Sequence, residues 1–292
     1  MRYTIMTDTS ANIPTAEAET KGIVVVPLSY TAGGEEHICV DTREFDYTAY
    51  YESMKNGERI TTSQINPQRY MEYMEPVLQQ GQDILFVGMS SGISGSFHSA
   101  SIAREQLLES YPDRKIELVD SHGASLGEGL IVLQAADWME QGREITRCAE
   151  DLRALKEKMY QVFTVDDLMH LRRGGRLSNT SAIVGTLLNV KPVLKGNEVG
   201  KIVSFAKVRG RRKVIERLAE IYDKLVVDPE HQTVGISHAN CLEDVKTLVE
   251  LLRAKRAPRE ILVVDHEPVT GSYLGPGALA LYFLGGEGVR VK

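Results

Sequence analysis

Cysteine is scarce in this sequence, and so are the other marks of specialised protein classes. The three cysteines, Cys39, Cys148 and Cys241, are odd in number and far apart, which excludes a disulfide framework and points to a reducing compartment. No apolar run approaches the roughly 20 residues that span a bilayer. The N-terminus MRYTIMTDTSANIP has no basic segment followed by an apolar one. The chain is therefore expected in the cytoplasm, without stable membrane insertion. Excess positive charge is also missing: with a net charge of -6 the molecule as a whole repels nucleic acid, and any anion-binding role has to come from a local cluster. There is no G-x-x-x-x-G-K-[ST] loop, and the first strand leads into TDTSAN rather than G-x-G-x-x-G, so nucleotide fingerprints are lacking. A metal site is not expected either. His37, Cys39 and Asp41 alternate as if on a strand and His238 lies close to Cys241, but neither set has convincing further ligands.

What the chain does contain is an alternation of strands and helices. A hydrophobic content of 42% over 292 residues suffices for a full core divided between two domains of ordinary size. Tyr3 to Met6 reads as a buried strand, Pro14 opens a helix that Gly22 closes, and IVVVPLSY (23–30) reads as a second strand. FDYTAYYESMKNG and PQRYMEYMEPVLQQG have helical spacing, with Pro76 expected to kink or divide the latter. DILFVG and KIELVD are short apolar runs that each meet a polar turn, as parallel strands do in a sheet covered by helices. Two helices follow, and Ile131, Ala135 and Trp138 share a face of the first, so they are expected in the core. Beyond residue 160 the pattern changes. YQVFTVDD reads as a strand, LRRGGRLS as a basic turn leading into a helix, and KPVLKGNEVGKIVSFAKVRG as a hairpin turning at Gly196-Asn197. Helix, strand, helix and strand then run through EILVVDHE. The expected architecture is α/β, with a mainly parallel sheet and flanking helices in residues 1–160 and a smaller α+β domain in residues 161–292.

Chemistry concentrates in GMSSGISGSFHSA (88–100). A strand ends at Gly88, a helix resumes near Phe97, and between them lie Ser90, Ser91, Ser94 and Ser96 with Gly92 and Gly95. Small residues let the backbone approach a ligand, and the helix N-terminus offers unpaired N–H groups and a partial positive charge, so the turn suits an anion. A serine-rich loop that only caps its helix would have the same composition. Gly88 to Gly92 also matches G-x-S-x-G, with Ser90 as nucleophile and Asp120, His122, His238 or Asp265-His266 as formal partners. The second glycine turn, Ser94-Gly95-Ser96, favours an extended cradle over a tight elbow. TTSQ (61–64) precedes a helix that begins near Pro67, so its polar groups can face the same crevice, where ligands of parallel sheets gather beyond the strand ends. Arg172, Arg173 and Arg176 surround two glycines, and Lys207, Arg209, Arg211, Arg212 and Lys213 follow the hairpin. On an acidic chain these clusters are either a docking face for a phosphate or acidic partner, or a solvated basic face.

Taken in order, TDTSANIP, TTSQ, SSGISGSFHSA, VDS, LRRGGRLS, NVKPVL, KVRGRRK and GPGALAL resemble the DegV family of bacterial lipid-binding proteins over nearly the whole chain. The resemblance implies a two-domain α/β fold with a long-chain fatty acid buried between the domains. It implies a carrier rather than an enzyme. Members related to the fatty-acid-kinase binding subunits hold the acid while a separate kinase subunit, resembling dihydroxyacetone kinases, phosphorylates the carboxylate from ATP and so feeds phospholipid synthesis. No cofactor or metal is implied beyond the bound fatty acid.

Carried over by position, Thr62, Ser63, Ser91, Gly92, Ser94 and Gly95 would hold the carboxylate through hydroxyl and backbone N–H donors. Arg173, Arg176 and Arg209 would meet the kinase or the phosphorylated head. The chain departs from the family pattern twice. TSQINP has two residues inserted before Pro67, and YLGPG carries Tyr273 where the family has the histidine of H-x-G-P-G. A phenol still donates a hydrogen bond, so Tyr273 stays among the carboxylate contacts, but it does not readily carry positive charge at pH 7. SAIVGTLLNV (181–190) is the best candidate for tunnel lining. Three classes stay open: a fatty-acid carrier, a serine hydrolase using Ser90, and a ligand-independent interaction protein acting through Arg173 and Arg209.

Overall fold

A computed structural model describes residues 3–39, 41–178 and 189–291; of the tunnel-lining candidate only Asn189 and Val190 fall among them. The chain divides into two compact units, Met1–Phe45 with Ile60–Lys156, and Asp46–Arg59 with Glu157–Lys292. The second is no smaller than the first, and the chain enters it twice, so a single boundary near residue 160 does not describe the division.

In chain order the first half contains β1 (Thr4–Asp8), α1 (Thr15–Thr20), β2 (Val24–Val26), β3 (Ser29–Ala32), β4 (Glu35–Ile38), α2 (Tyr47–Lys55), β5 (Thr61–Ser63), α3 (Pro67–Gln79), β6 (Ile84–Gly88), α4 (Ser96–Ser110), β7 (Ile116–Asp120), α5 (Leu126–Glu140) and α6 (Ile145–Leu155). All but α2 belong to the first unit. Its main sheet is parallel in the order β2-β1-β6-β7. The strand order reverses between β1 and β6, the position beyond which ligands of open α/β sheets gather. The expected strand 23–30 is in fact two. Val24–Val26 joins the parallel sheet, and after Pro27, which has no N–H to give a ladder, Ser29–Ala32 starts a separate antiparallel sheet, β4-β3-β5. Helix α3 runs unbroken through Pro76. The missing N–H falls near its C-terminal end, where Gln80 N–H still reaches the Pro76 carbonyl at 3.3 Å. Ile131 and Ala135 are buried, but Trp138 is only partly so and lies under the Arg143 guanidinium, 4.0 Å from its ring centre.

The second half contains β8 (Met159–Thr164), α7 (Met169–Arg173), β9 (Val190–Gly196), β10 (Ile202–Arg209), α8 (Arg211–Leu225), β11 (Thr233–His238), α9 (Leu242–Arg256), β12 (Glu260–Asp265), α10 (Pro268–Leu274) and β13 (Leu279–Leu284). Six strands form one sheet in the order β10-β9-β8-β13-β11-β12, in which only β11 and β12 run parallel. Val214, Leu218 and Tyr222 of α8 and Leu248 and Leu252 of α9 share one core with Val162, Ile236, Leu281 and Phe283 of the sheet. The hairpin turns at 197–201, one step beyond the expected position, because Asn197 Oδ1 accepts from the N–H groups of Val199 and Lys201 at 3.2 and 2.8 Å. Helix α2 belongs here through two tyrosines. Tyr50 and Tyr51 donate to the carbonyls of Pro268 and His266, each at 2.7 Å. Among the described residues no helix is long and apolar enough to cross a membrane.

Candidate functional site

The reversal point of the parallel sheet is organised around Asp8, the buried last residue of β1. One of its carboxylate oxygens accepts from Ser10 N–H at 2.9 Å and the other from Met89 N–H at 3.1 Å, so the exit of β1 grips the exit of β6. Burial pushes the Asp8 carboxyl up, against the opposing pull of hydrogen bonds from Ser10 and Met89. Below it, buried Glu128 of α5 accepts hydroxyls from Ser10 at 2.6 Å and Thr7 at 3.0 Å. Each of these buried groups would cost about 1–3 kcal/mol if left without its partner.

The turn after β6 uses its own polar groups on itself. Ser90 N–H donates to the Gly123 carbonyl at 2.8 Å, and Ser91 N–H to the Asp120 carboxylate at 3.2 Å. Gly92 N–H donates to Ser90 Oγ, and both Ile93 and Ser94 N–H donate to the Ser90 carbonyl, all at 3.1 Å. Ser94 Oγ caps α4 by accepting Ser96 N–H at 3.2 Å while donating to Ser96 Oγ at 3.0 Å. The Gly92 amide is therefore engaged inside the turn. Among the described residues, Gly95 N–H has no acceptor, and the first α4 bond, Ser99 N–H to the Gly95 carbonyl at 3.1 Å, leaves the first-turn amides of Phe97 and His98 open as helix starts do. The Ser91 hydroxyl is exposed and makes no hydrogen bond among the described residues.

Strand β5 is held to this turn. Its exit residue Gln64 lays its amide on Gly95, where a Cβ would overlap it, and Ile65 N–H donates to Ser96 Oγ at 3.2 Å. Gln64, Ile65 and Ser96 thus join TTSQ to the serine-glycine turn, a role that residue type alone does not assign, although Gln64 and Ser96 stand at the ends of the two motifs. Within β5 the register pairs Thr62 with Tyr30, itself opposite His37, and pairs Ser63 with Ser29. Successive side chains of a strand point to opposite faces, so Thr62 and Ser63 do not share one.

Ser90 does not stand at a nucleophile elbow. It is buried, its hydroxyl accepts from Gly92, and α4 starts only at Ser96. Elbow-like backbone occurs instead at Ser125, with φ 52° and ψ −144° directly before α5, within a second G-x-S-x-G, Gly123 to Gly127, that the motif reading passed over. Its buried hydroxyl accepts from Asn12 Nδ2 at 3.0 Å and its N–H donates to the Ser10 carbonyl at 2.6 Å. These bonds fasten α5 to the β1 exit.

In the second unit, Tyr273 and Arg176 come together at Gly174, next in sequence to Arg173. The Tyr273 ring lies on Gly174, where a Cβ would overlap it. The Arg176 guanidinium stands 4.8 Å from the centre of that ring and donates to the Gly174 carbonyl at 2.5 Å, so Arg176 belongs to the packing of Tyr273. Arg173 and Arg209 are exposed and make no ion pair among the described residues. Of the other cations in the basic clusters, Arg211 bridges Asp166 and Asp244 at 3.3 and 2.8 Å, and Arg212 pairs with Glu216 at 3.1 Å. Helix α10, which carries Tyr273, is anchored by buried polar bonds. Glu267 accepts from the N–H groups of Val269 and Thr270, each at 2.6 Å. His266 Nε2 lies 3.1 Å from Ser237 Oγ, which lies 2.9 Å from the Tyr282 hydroxyl. Complete burial, then the neighbouring His238, pull the His266 imidazole down to about 3. Among the described residues, no group of three or more His, Cys, Asp or Glu is placed to hold a metal ion.

A family model described as uncharacterised protein, DegV family, matches residues 2–285. A DegV domain-containing protein of Clostridium perfringens is 39% identical over 284 residues, covering 97% of this chain and 98% of its own. A solved structure of a DegV family protein from Thermus thermophilus, described by its fatty acid binding, superposes with a TM-score of 0.88 at 28% identity, covering 98% of this chain and 100% of its own. A fatty acid kinase B3 protein from Streptococcus pneumoniae, loaded with linoleic acid, superposes with a TM-score of 0.83 over 98% of this chain and 100% of its own. At 23% identity that likeness shows the fold.

Proposed function

The chain belongs to the DegV family, and on that premise we propose that it binds a long-chain fatty acid and presents the carboxylate to a separate, dihydroxyacetone-kinase-like subunit for acyl-phosphate formation. The observation that carries this reading is the turn at the reversal point of the parallel sheet, held in shape by Asp8, whose remaining donors among the described residues are neutral: the Ser91 hydroxyl and the amides at the start of α4. A carboxylate removed from water needs donors or must become neutral. Neutral donors meet that need while leaving the oxygens free to attack a phosphoryl group. The acyl chain provides the affinity, since about 14 methylenes at roughly 0.8 kcal/mol each gain on the order of 11 kcal/mol before the costs of binding.

The protein's own serines take no covalent part in this scheme, because the hydroxyls of Ser90 and Ser125 are engaged within the scaffold. Arg173 and Arg209, exposed and without an ion pair among the described residues, would meet an acidic partner or a phosphoryl group. Arg176 keeps Tyr273 in place. The test is reconstitution with the kinase subunit, fatty acid and ATP. Wild type supports acyl-phosphate formation, and Arg173→Glu with Arg209→Glu abolishes it while fatty acid stays bound. Turnover undiminished by the double reversal would refute the docking role. Labelling of Ser90 by a fluorophosphonate would restore the hydrolase reading.

A further inference from the structure

Beside the serine-glycine turn, the exit of β7 carries a chain of polar contacts to which the carrier reading gives no role. Asp120, the last residue of β7, accepts Ser91 N–H at 3.2 Å and His122 N–H at 3.1 Å on one carboxylate oxygen. A single side chain thus fixes both the backbone that presents the Ser91 hydroxyl and the turn that leaves β7. The bond to the residue two positions on is an Asx turn, and it holds His122 in the left-handed region at φ 52°. The His122 ring then meets Lys156 at the C-terminal end of α6, with Nε2 3.1 Å from Nζ. An ammonium only donates, so Nε2 is the acceptor and the imidazole is neutral, with its proton on Nδ1. The approach of Nε2 to Asp120 Oδ2, at 3.8 Å, is therefore no ion pair. It places the Lys156 ammonium one ring nitrogen away from the Asp120 carboxylate. All four residues belong to the first unit, and the side chains of His122 and Asp120 are only 20% and 16% exposed, so solvent screens this group weakly.

On the carrier reading, a lipid carboxylate that accepts from the Ser91 hydroxyl lies beside the residue whose amide Asp120 holds. Like charges that close repel, and the repulsion opposes loading of an ionised lipid. We infer that Lys156 determines specificity for an anionic head at this turn: across the neutral His122 ring it offsets the charge of Asp120, so that the turn accepts an anion although no cation touches it. The inference rests on the carrier reading above. A lysine at a helix C-terminus also suits the helix dipole, but that ordinary role bears on stability and not on the choice between a charged and an uncharged ligand.

The experiment measures dissociation constants of palmitate and of palmitamide, its uncharged analogue, for the full-length, lipid-stripped protein at low ionic strength and about pH 8, where the acid is ionised. Lys156→Met is expected to weaken palmitate about three- to tenfold while palmitamide stays within about twofold. Lys156→Arg rescues the preference for the anion. Asp120→Asn keeps an acceptor oxygen for Ser91 and His122 but removes the charge, so in the Lys156→Met background it restores the preference as well. Urea unfolding verifies that each variant is folded, and if Asp120→Asn is not, the contrast between Lys156→Met and Lys156→Arg decides alone. A Lys156→Met protein that loses both lipids equally, or neither, while wild type binds palmitate, overturns the inference and leaves the carrier reading standing. A wild type that binds neither lipid overturns the carrier reading, and the inference falls with it.

Discussion

The two units organise their polar groups in opposite ways. In the first, hydrogen bonds hold the shape: from Met89 to Ser94 each backbone N–H already has an acceptor, supplied by Asp8, Gly123, Asp120 or Ser90. In the second, packing on glycines holds the rings of Tyr273 and His170, and among the described residues the imidazole and the Arg173 guanidinium make no hydrogen bond. A hydrogen-bonded mould offers few, neutral donors in fixed positions. A packed wall can display charge and respond to it.

This contrast can be broken on either side. Asp8→Ala should have the largest effect, because it strands two buried N–H groups, of Ser10 and Met89. We expect a loss of about 2–4 kcal/mol in urea unfolding, and a loss below about 1 kcal/mol would mean that the turn keeps its shape without this grip. Acid should act next, through the second unit. Fully buried His266 titrates near 3 when folded, against an ordinary value of 6.5. Between these values the unfolded chain binds the extra proton, so the contribution is fully present above pH 6.5 and declines on acidification by about 1.4 kcal/mol per pH unit until the folded value is reached. Unfolding free energies of wild type and His266→Gln measured between pH 4 and 8 should differ in slope by about that amount below pH 6.5 and run parallel above it, and curves parallel throughout would contradict a buried neutral imidazole. Arg173→Glu should have the smallest effect on stability, within about 0.5 kcal/mol, because the side chain is exposed and unpaired among the described residues. A larger loss would show that the wall depends on this charge for its structure.

Much of the first unit was legible in the sequence because buried parallel strands leave continuous apolar runs: Ile84–Gly88 and Ile116–Asp120 stand where DILFVG and KIELVD placed them. The serine-glycine turn was legible through its small residues. Its internal bonding was not, since composition does not say whether an amide faces a ligand or a neighbouring serine. The division at Pro27 was hidden because both halves of 23–30 are apolar. Helix α2 read correctly as a helix, but spacing does not reveal which core a helix joins, and here two tyrosine hydroxyls decide it. Strand β13 was missed behind the Gly275-Pro276-Gly277 turn, which masks the apolar run that follows, and helix α10 before it is only seven residues long. His170 was passed over because its setting depends on Gly275, more than a hundred residues away. The elbow-like backbone at Ser125 depends on a positive φ that the spelling of G-x-S-x-G does not distinguish from that of Ser90.

The central claim is that this chain carries a fatty acid and does no chemistry on it. The most direct measurement is denaturing solvent extraction of the freshly purified, full-length protein followed by mass spectrometry of the extract and quantitation against protein. The account predicts an intact long-chain fatty acid in roughly equimolar amount, depleted when Thr62 and Ser91 are both changed to alanine. A wild-type protein that is soluble, folded and free of lipid, and that still takes up none when fatty acid is supplied, would contradict it.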